Sequence, residues 1–69
     1  MSVYKVIEII GTSGKSWEDA AATAVKEARK TLRELRVAEV VQQDLDLDAS
    51  DKLTYRTKLR ISFKYDGSG

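Results

Sequence analysis

Three aspartates alternate with leucines in the segment DLDLD of this 69-residue chain. Every second residue of a β-strand points to the same side of the sheet, about 6 to 7 Å from the next. Neighbouring carboxylates in such a row can converge on one hard cation such as Ca²⁺, which takes oxygen ligands at about 2.4 Å. The pattern therefore predicts Asp44, Asp46 and Asp48 as metal ligands.

The spacing of the three aspartates matches the beginning of an EF-hand loop, but the rest of that motif is missing. The sixth loop position requires glycine and is Ala49, and the twelfth requires glutamate and is Tyr55. An EF-hand is therefore excluded. The alternative to a metal site is a set of exposed ion pairs across a hairpin, worth about 0 to 1 kcal/mol each, between the aspartates and Arg56, Lys58 and Arg60. Both interpretations stay open from the sequence.

The composition argues against catalysis. The chain has no histidine and no cysteine, so a Ser-His or Cys-His nucleophile pair and a disulfide are excluded. No pair of carboxylates has a reason, visible in the sequence, for a shifted pKa. We expect a protein that is not an enzyme.

Two patterns that could bind anions are incomplete. The segment GTSGKS precedes a predicted helix, but Gly11 and Gly14 are too close together for a phosphate-binding P-loop, so a turn and a helix N-cap are predicted instead. The basic residues near the C-terminus have no aromatic residues between them on the same face, and the net charge is only +1, from 12 basic and 11 acidic residues. We expect no nucleic-acid partner.

Four elements must position the candidate residues. Residues 3–10 are β-branched and aromatic, which predicts a strand. Residues 16–36 are predicted as one long helix, with Ser16 as N-cap and Asp19 in the capping-box position. Its apolar stripe recurs at helical spacing and consists of Trp17, Ala21, Val25, Ala28, Leu32 and Leu35.

The two remaining segments, 37–48 and 53–65, predict a hairpin. If apolar residues share one side, paired residue numbers should sum to about 102, which places Asp46 opposite Arg56 and Asp44 opposite Lys58. The apolar side, which includes Val37, Val41, Leu45 and Leu47, is expected to cover the helix. The predicted fold class is α+β, of order β-α-β-β, with a three-stranded antiparallel sheet wrapped around one long helix.

The length predicts a single domain at residues 1–65, followed by a disordered tail at 66–69. A chain this small holds a limited core, and strand 3–10 is apolar on both faces, so a second subunit is expected to cover one of them. No apolar run reaches the roughly 18 to 20 residues that span a bilayer, and the N-terminus has no signal pattern. We expect a cytoplasmic homo-oligomer without a membrane partner.

The strings VYKVIEIIGTS, SWEDAAATAVKEARKTL, VAEVVQQ and TYRTKLRISF together resemble the dodecin family over nearly the whole chain. The resemblance implies a β-α-β-β fold and assembly into a hollow sphere of twelve subunits with cubic (23) symmetry. Flavin-binding members of the family store riboflavin and related flavins, and they stack pairs of flavin rings between tryptophans at subunit contacts.

The chain departs from the flavin-binding pattern at the residues that hold the ring. The family's stacking tryptophan falls at Val37, the glutamine that reads the flavin edge falls at Arg56, and a polar residue near the ribityl chain falls at Gln42. In these features the chain is similar to the calcium-binding dodecins of mycobacteria. The resemblance implies a dodecamer that binds calcium or another hard cation, with flavin not expected. A flavin or other small-molecule carrier and a purely structural assembly remain as alternatives.

Overall fold

The computed structural model describes residues 2–48 and 50–65, in which one helix packs on a three-stranded antiparallel sheet. The elements are β1 (Val3–Ser13), α1 (Trp17–Arg29), β2 (Leu35–Leu47) and β3 (Leu53–Tyr65). β3 is the central strand, with β1 and β2 on either side. The α+β class and the β-α-β-β order are confirmed. Ala49 of the predicted turn and the predicted tail 66–69 lie outside the described residues.

The first strand continues beyond its predicted end at residue 10. Gly11 and Ser13 belong to β1, pair with Thr57 and Tyr55 of β3, and are buried. The segment was predicted as a turn because glycine and serine commonly interrupt strands. Here the small residues serve a different purpose, because they let the helix lie close above the end of β1.

The helix begins as predicted and ends earlier. The hydroxyl of Ser16, the N-cap, accepts a hydrogen bond from the backbone N–H of Asp19 at 3.0 Å. The prediction of a helix to residue 36 is wrong, since α1 ends at Arg29. The N–H groups of Lys30 and Thr31 bond to carbonyls three residues back, and Glu34 adopts a positive φ of 61° that directs the chain into β2.

Three alanines form the centre of the helix face that meets the sheet. Ala20, Ala24 and Ala28 are buried, together with Leu59 and Ile61 of β3. The predicted stripe contained Ala28 but missed Ala20 and Ala24, because it followed the larger apolar side chains. Leu32 and Leu35 follow the helix and still pack against this core. Their helical spacing therefore wrongly predicted a helical backbone but correctly predicted that the two side chains face the core.

The hairpin forms with a different register from the one predicted. Asp44 lies opposite Arg56, Asp46 opposite Thr54, and Leu47 opposite Leu53. The predicted pairing of Asp46 with Arg56 is therefore wrong by two residues. Both registers keep the apolar residues on one side. The turn decides between them, because the side chain of Asp48 accepts hydrogen bonds from the backbone and hydroxyl of Ser50.

The helix covers β1 and β3 and leaves most of β2 open. The expectation that the whole apolar side of the hairpin covers the helix is wrong: Val40 and Leu47, on the helix side of β2, are 50% and 71% exposed. Register shifts near Leu35 and Val40 interrupt the alternation of β2, so Val37 lies on the side away from the helix. Within the described residues, no helix has the length and apolar character needed to cross a membrane.

Candidate metal and ligand-binding surface

The predicted site residues fall on one surface, here called the outer face, which is the side of the sheet turned away from α1. Pairing in the ladder shows which residues share it, because directly opposite residues of antiparallel strands point the same way. From β2 it carries Val37, Glu39, Gln42, Asp44 and Asp46, and from β3 it carries Arg56, Lys58 and Arg60. Asp48 follows the end of β2 in the turn.

Asp44 and Arg56 form the best-defined contact on this face. They lie directly opposite each other, and the guanidinium of Arg56 donates from Nε to Oδ1 at 2.8 Å and from Nη2 to Oδ2 at 3.3 Å. The hydrogen bond and attraction to Asp44 raise the pKa of Arg56 above its ordinary value, with a smaller contribution from Asp46. Both oxygens of Asp44 are therefore engaged by one cationic side chain.

The other two predicted ligands have different environments. Asp46 is exposed and makes no ion pair among the residues that the structure describes. Asp48 is held in the turn by Ser50, whose hydroxyl and backbone N–H donate to Oδ1 at 2.6 and 2.8 Å. These bonds, the hydroxyl first, lower the pKa of Asp48 below its ordinary value. Asp48 thus remains charged and partly committed to the turn.

The donor chemistry of the three aspartates fits a hard cation, because carboxylate oxygens are the ligands that Ca²⁺ prefers. The number of converging donors is insufficient within one chain. In residues 2–48 and 50–65, no three acidic side chains are grouped closely enough to hold a metal ion. A complete coordination shell on this surface would need further oxygen donors, from a second copy of the chain, from backbone carbonyls or from water.

A second ion-pair network occupies the middle of the outer face. Glu8 of β1 contacts Lys58 at 3.3 Å and Arg60 at 3.1 Å, and Arg60 also contacts Glu39 of β2 at 3.4 Å. The bond from Lys58, followed by that from Arg60, lowers the pKa of Glu8 below its ordinary value. Sequence reasoning missed this network, because it assigned Lys58 and Arg60 to the aspartates. The signal was present in β1, where Glu8 interrupts an apolar strand.

The three residues that the resemblance assigned to flavin positions do not meet within one chain. Val37 pairs with Ser62, Gln42 with Lys58, and Arg56 with Asp44. Six residues of β3 separate the rows of Val37 and Arg56, which is about 20 Å along the strand. Val37 is 61% exposed, and it presents only an isopropyl group on the outer face.

Trp17 contacts the same end of the sheet from the helix side. Its indole N–H donates to the backbone carbonyl of Asp44 at 3.0 Å, and its ring meets Tyr55 edge to face, with centroids 5.2 Å apart. The contact fixes the backbone of β2 at the residue whose side chain binds Arg56. Nothing in the spacing of the sequence linked Trp17 to Asp44, because the contact depends on where the helix begins above the sheet.

Comparison with known proteins is consistent with this architecture. The sequence model of the Dodecin family matches residues 3–66. The calcium dodecin of Mycobacterium tuberculosis is 59% identical over 64 residues, which are 93% of this chain and 90% of that protein. The dodecin of Thermus thermophilus is 34% identical over 93% of each chain.

Solved structures agree with the sequence comparison. The crystal structure of the M. tuberculosis calcium dodecin, described as calcium-chelating with a novel calcium-binding site, matches with a TM-score of 0.90 at 56% identity, over 99% of this chain and 97% of that one. The dodecin of Streptomyces coelicolor matches with a TM-score of 0.88 at 30% identity, over 97% and 96% of the two chains. The chain belongs to the dodecin family.

Proposed function

We propose that this dodecin is a non-catalytic homo-oligomer, a dodecamer, that binds calcium or another hard cation and does not bind flavin. The observation that carries the proposal is the pairing of high identity to a calcium dodecin with valine at the position of the stacking tryptophan. Asp44, Asp46 and Asp48 are the proposed metal ligands. Val37, Gln42 and Arg56 occupy the family's flavin positions in a form that no longer suits the ring.

Exposed apolar residues support the assembly. Tyr4, Val6 and Ile10 of β1 are at least half exposed on the outer face, and Val40 and Leu47 of β2 are exposed on the other. Among the residues that the structure describes, few large side chains are buried, and Leu59, Ile61 and Thr57 are the ones almost fully enclosed. A chain with a core this small and apolar strands this open gains stability by burying them against copies of itself.

A groove between the helix and β1 supports the same interpretation. Its volume is about 370 Å³, and its lining is mostly apolar: Ile7, Ile9, Ile10, Ala24, Glu27, Ala28, Thr31 and Leu32. β1 is an edge strand, so the groove opens beside unpaired backbone groups. An open strand edge can pair with another chain.

The state of the flavin positions supports the loss of flavin binding. Valine has no π-face to stack against a ring. Arg56 is held by Asp44 through two hydrogen bonds, so it is not free to read the polar edge of a ligand without breaking an ion pair. Gln42 can still hydrogen-bond to a ligand, but position 37 has no aromatic side chain on which a flavin could stack.

Assembly and flavin binding are tested on the purified protein. Light scattering after size-exclusion chromatography should give a mass of twelve times the 7.7 kDa chain. Riboflavin added to the assembly should keep its fluorescence. A monomer would contradict the assembly, and quenched flavin fluorescence would favour the carrier alternative.

Cation binding is tested by calorimetry with CaCl₂, with MgCl₂ as the comparison. Asp46→Asn and Asp48→Asn should each weaken binding, and a double variant should weaken it further. Glu34→Gln is the matched control, because it removes one carboxylate from an exposed pair with Arg36 in the connection before β2, at the opposite end of that strand from the aspartates. Absence of heat above dilution in the unaltered protein would leave a purely structural assembly as the function.

A further inference from the structure

We infer that Arg56 is an internal counter-ion that competes with a bound cation for the carboxylate of Asp44, and that it thereby sets the cation affinity of this surface. The inference rests on the proposed function, because it concerns one of the three proposed ligands. The new element is that Arg56, whose side chain has no metal-binding oxygen, determines the affinity for the cation.

The geometry places the two partners of Asp44 in competition. The guanidinium takes Oδ1 at 2.8 Å and Oδ2 at 3.3 Å, so no oxygen of this carboxylate is free of it. A calcium ion would need one of these oxygens at about 2.4 Å. A divalent ion and a guanidinium on the same carboxylate would be like charges only a few ångströms apart, and they would repel each other at this partly exposed position.

Asp44 itself cannot resolve the conflict by moving its backbone. Its carbonyl accepts the indole N–H of Trp17 at 3.0 Å, and the residue pairs directly with Arg56 in the ladder. The side chain of Arg56 is 41% exposed. The guanidinium is therefore the partner that can leave, and it can turn into solvent when a cation arrives.

The neighbouring carboxylates show that this competition is specific to Asp44. Asp46 has no ion-pair partner among the described residues, and Asp48 accepts its hydrogen bonds from the neutral Ser50. Lys58, the next basic residue on the outer face of β3, contacts Glu8 of β1. Removing Arg56 thus frees a proposed ligand, whereas removing Lys58 removes the same charge without freeing one.

This difference provides the experiment. Calcium affinity is measured by calorimetry for the unaltered oligomer, for Arg56→Gln and for the charge-matched control Lys58→Gln. Arg56→Gln should bind Ca²⁺ about 3- to 10-fold more tightly, the range expected when a bidentate, half-exposed ion pair no longer has to be broken. Lys58→Gln should change the affinity by less than about twofold, because Lys58 contacts Glu8 and none of the proposed ligands.

A second measurement follows Arg56 directly. In the calcium-free protein the Nε–H of Arg56 should give a protected ¹⁵N NMR signal, since it is hydrogen-bonded to Asp44. Addition of CaCl₂ should increase its exchange with water. Arg56→Lys keeps the charge but loses the fork-shaped contact, so it should show an intermediate gain and serves if Arg56→Gln does not assemble.

The outcomes separate the inference from the proposed function. If calcium binds the unaltered protein and Arg56→Gln binds equally or more weakly, or if both variants gain the same amount, the competition is overturned and cation binding stands. If only Arg56→Gln binds calcium, the competition is supported in its strongest form. If none of the proteins binds calcium, the cation function fails and the inference fails with it.

Discussion

The carbonyl oxygen of Ala20 in the helix lies against the α-carbon of Gly11 in β1, with no space between them for a β-carbon. A β-carbon built at position 11 would also lie 2.9 Å from Cβ of Ala24. This close approach explains why the buried helix face is made of alanines and why the strand has glycine there. The distance between helix and sheet is set at this point.

Gly11→Ala is therefore expected to destabilise the fold by about 3 kcal/mol, the upper part of the range for overpacking, because the obstacle is backbone and cannot rotate away. Urea unfolding at a fixed protein concentration measures the effect. Gly14→Ala is the control, since a β-carbon at position 14 has no neighbour within 4 Å. Equal stability of the two variants would show that the helix can lift from β1 at little cost.

The sequence was sufficient for the order of the elements and insufficient for their ends. Hydrophobic alternation identified β3 with its exact bounds, Leu53–Tyr65, and the capping pattern located Ser16. The helix end was missed because residues 30–36 keep a helical apolar spacing while the backbone turns at Glu34. The segment between α1 and β2 ends where Leu35 pairs with Phe63 of β3. This pairing depends on the tertiary structure and leaves no signal in the local sequence.

The sequence predicted which residues share the outer face better than it predicted their ion-pair partners. Alternation in DLDLD correctly placed Asp44 and Asp46 on the same face of β2, but turn chemistry at Asp48 and Ser50 shifted the register by two. In the observed register Arg56 forms an ion pair with Asp44, and Lys58 and Arg60 form ion pairs with Glu8. Pairing between β1 and β3 joins residues about fifty positions apart, and a single sequence holds no local signal for it.

Thr57 joins the centre of the sheet to the first turn of the helix. Its hydroxyl is fully buried and donates to the carbonyl of Trp17 at 2.9 Å. Thr57→Val keeps the shape and removes this bond, so the free energy of unfolding should fall by about 1 kcal/mol. Thr54→Val is the control on the same strand, where the side chain lies on the outer face. A larger loss in Thr54→Val would contradict the role given to Thr57.

The network around Glu8 predicts a loss of stability in acid. Because Lys58 and Arg60 lower the pKa of Glu8 in the folded state, its contribution is present above the ordinary glutamate pKa of about 4.3 and is lost as the pH falls through the lowered value. Glu8→Gln should be less stable than the unaltered protein at pH 7, and the difference should shrink below about pH 4.

Urea midpoints at pH 7 and pH 3 measure this dependence. Glu34→Gln provides the comparison, since it removes a carboxylate from a pair with Arg36 in which both side chains are at least half exposed. Its difference from the unaltered protein should be small at both values of pH. A difference for Glu8→Gln that stays constant down to pH 3 would mean that the charge of Glu8 does not act through the network.

The proposed loss of flavin binding is tested at the two positions where the sequence resemblance predicts a tryptophan and a glutamine. Val37→Trp combined with Arg56→Gln introduces a stacking surface and an uncharged hydrogen-bonding group at these positions. Riboflavin should then bind at least about tenfold more tightly, equivalent to roughly 1.4 kcal/mol, and its fluorescence should be quenched. Val40→Trp with Arg56→Gln is the matched control, because Val40 is similarly exposed on the same strand but on the opposite face. Equal quenching by the two double variants would show only non-specific stacking, and no quenching by either would place the obstacle to flavin elsewhere than at Val37 and Arg56.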